Sequence, residues 1–409
     1  MGIEKCNELY ERASRVIPGG GQTVSKRPEA YLAGKWPGYF SRAKGSHIWD
    51  VDGNEYIDYV MALGPIILGY CHPAVDAAIE EQLRKGTVAS LCSPLEVELA
   101  ETIVKHVPCA EMVRFFKTGA ESTSAAVRLA RAFTGRDKVI SCGYQGWHDW
   151  WVAKNGEPGV PKALGQLTLD VEYGDFDGLE KLLKEQGAEV ACFILEPVFS
   201  EADPEFLRYA REETEKRGIL LVFDEIITGF RLGMGGAQEY FDVIPDMATF
   251  GKAMANGMPI SAVAGRKDVM KLAGELWISS TFGGEALSLA AALATLRELE
   301  KPGIIDRLWN TGAKLLNQWR QIVTKNGVNA SVAGLPPIPM LRFSNGTGGR
   351  DTEAEGIFLG AMLERGILWR RNHYAFITLS HSHEDIEKTV EASHEAIEAV
   401  AQAMAAETK

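Results

Sequence analysis

The sequence predicts an α/β protein built on a mainly parallel sheet, joined to a smaller α+β region. Three observations carry this. From about residue 110 to 270, short apolar runs alternate with amphipathic helical patterns, as in chains that lay parallel strands between crossover helices. After about residue 330 the pattern changes to strands and helices mixed without that alternation. The chain has 409 residues, 46% hydrophobic and 24% charged, long enough for a large core and two domains.

Taken in order, residues 4–16 have helical periodicity, which Pro18-Gly19-Gly20-Gly21 breaks. Aromatic and β-branched residues flank Asp52-Gly53 between positions 45 and 59, the signature of a hairpin. Residues 74–86 and 94–107 are amphipathic helices. Strands follow at 112–116, 138–142, 190–195, 220–223, 247–250 and 260–264, with helices at 121–134, 177–186 and 204–217. The remainder gives helices at 285–300, 304–324, 351–365 and 383–404, and strands at 340–343, 367–369 and 376–379. Residues 155–162, rich in Gly and Pro, predict an exposed loop.

Net charge is −12 and no block of Lys or Arg stands out, which argues against a nucleic-acid or anionic-membrane partner. The six cysteines form no C-x-x-C pair, the pattern of a reduced, cytoplasmic chain. The first residues lack the apolar core of a signal peptide, and no apolar run is long enough to span a bilayer.

Four short motifs carry chemistry. Thr118-Gly119-Ala120-Glu121 follows one strand and opens a helix with capping-box spacing. Free N–H groups and the helix dipole at such a start favour a phosphate, although most capping boxes are only caps. Gly143-Tyr144-Gln145-Gly146-Trp147-His148 follows a second strand, where Tyr144 is placed to stack on a flat ring. Asp224 ends the apolar run Leu220-Leu-Val-Phe, at the carboxyl edge where open α/β sheets bind ligands. Ile226, or its neighbour, would pack on the ring face opposite Tyr144. Lys252 follows a fourth strand, within Phe250-Gly-Lys-Ala-Met-Ala-Asn-Gly257. An isolated lysine in a loop is most often just a solvated charge. A lysine amine also holds an aldehyde as a Schiff base, and a buried aspartate keeps a pyridine nitrogen protonated. Phosphate loop, aromatic, acid and lysine each follow a strand of one domain, which together point to pyridoxal phosphate.

Asp224-Glu225-Ile-Ile-Thr-Gly-Phe-Arg231 with the later Lys252 resembles the core motif of class III (subgroup II) pyridoxal-phosphate aminotransferases. Further stretches bring the chain nearest to the glutamate-1-semialdehyde 2,1-aminomutase branch: Gly64-Pro-Ile-Ile-Leu-Gly-Tyr-Cys-His-Pro73, Val127-Arg-Leu-Ala-Arg131, Glu196-Pro197 and Leu379-Ser-His-Ser-His-Glu-Asp-Ile386. The resemblance implies transferase fold type I: a large domain with a mainly parallel seven-stranded sheet at 61–300, and a small α+β domain from 1–60 and 301–409. It implies a homodimer with the active site at the subunit interface. Lys252 would carry the cofactor and shuttle the proton, and Asp224 would pair with the ring nitrogen. Gly119 and Ala120 would bind the phosphate, Tyr144 would stack on the ring, and Glu196 would lie near it. Thr281, in Ser279-Ser-Thr-Phe-Gly-Gly284, would reach the neighbouring subunit's phosphate.

The chain departs from the aminomutase pattern where substrate contacts fall. Gly21-Gln-Thr-Val-Ser-Lys-Arg-Pro28 replaces a Ser-Pro-Val-Arg segment, Gly284-Glu-Ala-Leu287 replaces Gly-Asn-Pro-Leu, and Leu368-Trp-Arg-Arg-Asn-His-Tyr374 also differs. The expectation is therefore a transaminase that moves an amino group from an amino-acid donor, glutamate, to a keto or aldehyde acceptor such as a keto-sugar. The alternative is the aminomutase itself, an isomerase, with residues 153–165 as its lid. A racemase, or a binding protein on a degenerate fold, ranks below both. Arg27, Arg231, Arg370 and Arg371 are candidates for gripping a carboxylate, and Trp147 for touching substrate. No metal is expected. His381 and His383 are two apart, which on a strand sends them to opposite faces. No dinucleotide or P-loop glycine motif occurs.

Overall fold

In a computed structural model, which describes residues 2–32, 34–198 and 202–407, the chain divides into two units. One holds the residues up to His72 and those from Asp306 onward, and the other spans Pro73–Ile305. Thirteen strands occur among the described residues: β1 (Phe40–Lys44), β2 (His47–Asp50), β3 (Glu55–Asp58), β4 (Met112–Phe116), β5 (Lys138–Cys142), β6 (Thr168–Asp170), β7 (Val190–Leu195), β8 (Leu220–Asp224), β9 (Met247–Phe250), β10 (Ser261–Gly265), β11 (Ala330–Leu335), β12 (Ile338–Phe343) and β13 (Ile367–Leu368).

The Pro73–Ile305 unit is organised by a seven-stranded sheet of order β4-β10-β9-β8-β7-β5-β6. All strands run parallel except β10, which is antiparallel to both neighbours. The central strands are largely apolar because both faces are covered. Every residue of Val190–Leu195 is buried, as are those of β8, β9 and β10. The helix Gly119–Thr134 buries Ala125, Ala126, Val127, Leu129 and Ala130 in the same core as Ala191, Ile194 and Val222. Its amphipathic spacing and capping box start it at Gly119, and Gly135 in the left-handed region stops it.

Register lines up the carboxyl ends of these strands. Cys142 pairs with Leu195, Leu195 with Phe223, and Asp224 with Thr249. At the far side Phe250 lies opposite Ala262, and Ser261 opposite Phe116. The loops after β4, β5, β7, β8 and β9 therefore leave the sheet along one edge.

The other unit carries the sheet β1-β2-β3-β13, the hairpin β11–β12, and the helices Ile304–Asn326, Thr352–Glu364 and His383–Glu407. The β2–β3 hairpin turns at Asp52-Gly53 as its sequence predicts, with Asp50 Oδ1 accepting from the N–H groups of Asp52 and Asn54. Residues 376–379 do not form the expected strand. Their amides donate in turn to different segments, Phe376 to Tyr59 O, Ile377 to Pro337 O and Leu379 to Ile67 O, so no ladder forms. Trp319 is wholly buried and donates to Ser393 Oγ at 3.1 Å. Gly312 lets the helix Ile304–Asn326 meet the β11–β12 turn, since a Cβ there would fall 1.7 Å from Pro336 O. Backbone on both sides leaves nowhere to shift. Gly312→Ala is expected to cost at least about 2 kcal/mol, read as a lower denaturant midpoint with an unchanged slope.

Candidate active site

The aligned strand ends bring the singled-out residues together. After β4, Thr118 Oγ1 accepts from Glu121 N at 3.4 Å, while Glu121 Oε2 accepts from Thr118 N at 2.8 Å. The first N–H groups of a helix have no carbonyl of their own helix to bond, so those of Gly119 and Ala120 are left able to bind an anion. Ser261 Oγ donates to Thr118 O at 2.6 Å and fixes this start against β10.

Ile226 lies between this helix start and the loop that carries Lys252. A Cβ on Gly119 would approach Ile226 Cδ1 to 3.3 Å, and one on Gly251 would approach it to 3.1 Å. The loop after β5 closes on the same place. Gly146, at φ +100°, packs so tightly that a Cβ would stand 2.7 Å from the Cβ of Ala120. Thr123 Oγ1 holds that loop by donating to Gln145 O at 2.7 Å. Gly143, at φ +89°, makes room for Glu196, whose Oε2 would lie 2.7 Å from an added Cβ and accepts from Tyr144 N at 3.4 Å. Tyr144 is 58% exposed and set edge-on to Trp151, with ring centroids 5.0 Å apart.

Asp224 is buried. Its Oδ1 accepts from Ile226 N and from Thr249 Oγ1, each at 3.0 Å. Burial pushes its carboxyl up to about 6, against these two bonds and the charge of Lys252. Burial also pushes Glu196 up to about 8, helped by the charge of Asp224 and opposed by that of Lys252. Burial, then the charges of Asp224 and Glu196, raise the Tyr144 phenol. The two carboxyls, the phenol and the lysine thus act on one another. Lys252 itself has φ +36°, a conformation that costs a non-glycine residue energy and that gathers at functional sites.

Other expected residues stand elsewhere. Thr281 is exposed and borders a groove of about 620 Å³ with Val88, Leu91, Ser280 and Gly284. Trp147 is 70% exposed and lies edge-on to His148. Arg27, Arg370 and Arg371 belong to the unit formed by the two ends of the chain. Arg370 Nε donates to Ser25 O. Arg371 donates to the carbonyls of Tyr31 and Thr352. Arg231 is sealed in the core, where burial pulls its guanidinium down to about 9, so it offers no surface to a substrate. His381 is buried with both ring nitrogens bonded inside the protein, to Thr378 N and Asp58 O, while His383 is exposed at a helix start.

Sequence reasoning passed over Thr249, Ser261 and Thr123, which orient the motif residues. The available signal was a hydroxyl inside an otherwise apolar strand, as at Thr249. Glu225 is structural: it accepts from Ala237 N, Gln238 N, Gln238 Nε2 and Thr228 Oγ1, and so folds the chain after Asp224.

A flat, phosphate-bearing pyridine needs an anion cradle, two covered faces, an acid at the ring nitrogen and an amine. Gly119 and Ala120 at the helix start, Tyr144, Ile226, Asp224 and Lys252 are residue types that could meet these needs, so the residues fit such a cofactor.

Comparison with known proteins agrees. A family model for class-III aminotransferases matches residues 33–397. A glutamate-1-semialdehyde 2,1-aminomutase of Desulforamulus reducens is 37% identical, covering 97% of this chain and 98% of that protein. A 3-aminobutyryl-CoA aminotransferase of Cloacimonas acidaminovorans is 35% identical, covering 97% of each. Among solved structures, the pyridoxal-phosphate internal aldimine form of the Sphingopyxis sp. MTA144 FumI protein superposes with a TM-score of 0.90 at 30% identity, over 98% of this chain and 97% of that one. The chain belongs to the class III aminotransferase family, enzymes that use pyridoxal phosphate on the fold type I scaffold.

Among the described residues no helix is long and apolar enough to cross a membrane.

Proposed function

We propose that the protein transfers an amino group from an amino-acid donor, glutamate, to a keto or aldehyde acceptor. The observation that carries this is the convergence of Lys252, Asp224 and Glu196 beside the helix start at Gly119. Pyridoxal phosphate, when bound, supplies an electron sink for the charge left when a carbon loses its proton. Lys252 Nζ holds the cofactor, then removes the donor's α-proton and returns it as a general acid–base. Asp224 Oδ2 would be the oxygen to pair with the ring nitrogen, since both bonds named above fall on Oδ1. The N–H groups of Gly119 and Ala120 hold the phosphate. Tyr144 and Ile226 would cover the cofactor ring, and Glu196, which accepts from Tyr144 N, would stand near it.

The active unit in this reading is a homodimer in the cytoplasm, with Thr281 reaching the partner's phosphate. Its support is the exposed apolar surface around Thr281: Leu91 is 84% exposed and Trp277 94%. Trp147 is a further substrate contact. Of the substrate arginines, Arg27 keeps a buried Nε without a hydrogen-bond partner, whereas the Nε groups of Arg370 and Arg371 are spent on carbonyls. Arg27 is the first to substitute.

The second reading is intramolecular transfer, as in an aminomutase. The name of the Desulforamulus reducens relative favours it. The replacement of Ser-Pro-Val-Arg by Gly21-Gln-Thr-Val-Ser-Lys-Arg-Pro28 favours transfer between molecules. The cofactor-loaded protein, given amino donors one at a time, is expected to release a keto acid, first of all from glutamate. Turnover of glutamate-1-semialdehyde with no external donor selects the second reading. Neither product from a broad panel contradicts both.

A further inference from the structure

We propose that the ion pair between Lys117 and Glu285 is a tether through which cofactor retention and subunit pairing strengthen each other. It joins the phosphate-binding helix start to the segment that carries Thr281. This inference rests on the dimer reading above.

Lys117 is the residue between β4 and the cap Thr118, and its backbone N–H donates to Glu121 Oε2 at 3.0 Å. Its side chain leaves the cradle and sets Nζ 3.0 Å from Glu285 Oε2, with only 16% and 14% of the two side chains exposed. Glu285 is itself anchored. It caps the buried helix Ala286–Leu299, with Oε1 accepting from Leu287 N at 2.7 Å, and Oε2 from Ser288 N at 3.1 Å and Ser288 Oγ at 2.6 Å. The Gly284-Glu-Ala-Leu287 departure from the aminomutase pattern thus installs a carboxylate that grips the residue beside the phosphate loop.

The segment between is fastened at its other end as well. Arg114 on β4 donates to Ile278 O at 2.7 Å, and Arg128 on the phosphate helix donates to Trp277 O at 2.9 Å. Gly283 sits against β4, where a Cβ would stand 2.9 Å from Phe115 O. Thr281 and Phe282, between these fixed points, and the side chain of Trp277 at one of them face solvent. A segment held at both ends offers its contacts without an ordering cost. Any force that orders the helix start, a bound phosphate included, is transmitted to it, and linkage makes the effect reciprocal. Breaking a largely buried pair by removing one partner leaves the other charge uncompensated. An unpaired Glu285 carboxylate also adds negative field where an anion must bind.

Lys117 and Glu285 are positioning residues. The test compares the wild-type holoenzyme with Lys117→Met, Glu285→Gln, the double variant and the charge-conserving Lys117→Arg. Pyridoxal phosphate dissociation is followed by absorbance. Dimer dissociation is followed by sedimentation, with and without the cofactor. Glu285→Gln keeps one side-chain oxygen to accept at the cap, so helix Ala286–Leu299 stays formed. Each charge-removing single variant is expected to weaken cofactor binding and holo-dimer pairing by about tenfold. The double variant should be no worse than either, and Lys117→Arg should restore both constants. A wild-type dimer whose two constants are untouched by the single variants overturns the tether alone, as do losses that simply multiply in the double variant. A loaded wild-type protein that stays monomeric overturns the dimer reading and the tether together.

Discussion

Lys252→Ala is expected to abolish the visible absorption of the loaded protein and to lower amino transfer by roughly 10⁴-fold or more, since it removes both the covalent attachment and the proton carrier. The variant should fold. Alanine keeps a side chain on a backbone at φ +36° that the wild-type lysine already holds, so the change adds no new backbone strain. Cofactor should still bind, because the anion cradle at Gly119 and Ala120 and the acid Asp224 remain, but dialysis should strip it faster. Added methylamine is expected to restore part of the proton transfer, which separates loss of an amine from collapse of the site. Normal transamination by this variant would refute the mechanism.

Asp224→Asn is expected to lower turnover by roughly 10²- to 10³-fold, the range for losing one preorganised electrostatic group. The amide oxygen can still accept from Ile226 N and Thr249 Oγ1, so the change removes charge and leaves shape. The same variant carries a pH signature in the cofactor-free protein. Asp224 ionises at an ordinary 3.8 when unfolded and at about 6 in the buried site. A group whose pKa rises on folding stabilises the fold below its unfolded value, and that stability is lost as pH climbs through the folded value. Cofactor-free wild type should therefore lose about 3 kcal/mol from Asp224 between pH 4 and pH 7. Glu196, at about 8, extends the decline above that. Denaturant unfolding at stepped pH should give a shallower decline for Asp224→Asn. An equal slope would mean that Asp224 is already ionised without cost.

Much of this site was legible because it is built from strand ends. An apolar run of four to six residues, stopped by Gly or by an acid, marks both a buried parallel strand and the edge where its loop emerges. That rule located β5, β7 and β9 residue for residue and put Asp224 and Lys252 at adjacent ends. Other features depend on partners that a local pattern does not contain. Residues 376–379 look like a strand, but their amides are taken by three separate segments. Arg231 is, by sequence, a candidate for gripping a carboxylate, and the fold turns it wholly inward. Strand β10 reads like its neighbours yet runs antiparallel, because direction is set by the connection and not by composition. Lys117 and Glu285 are 168 residues apart, and no local pattern pairs them.

The central claim is that one lysine amine holds the cofactor beside one buried carboxyl. The most direct measurement is borohydride reduction of the loaded protein, followed by digestion and mass mapping of the labelled peptide. The account predicts a single label, on Lys252 in Phe250-Gly-Lys-Ala-Met-Ala-Asn-Gly257, absent from Lys252→Ala. A label on any other lysine, or none while activity persists, would contradict it.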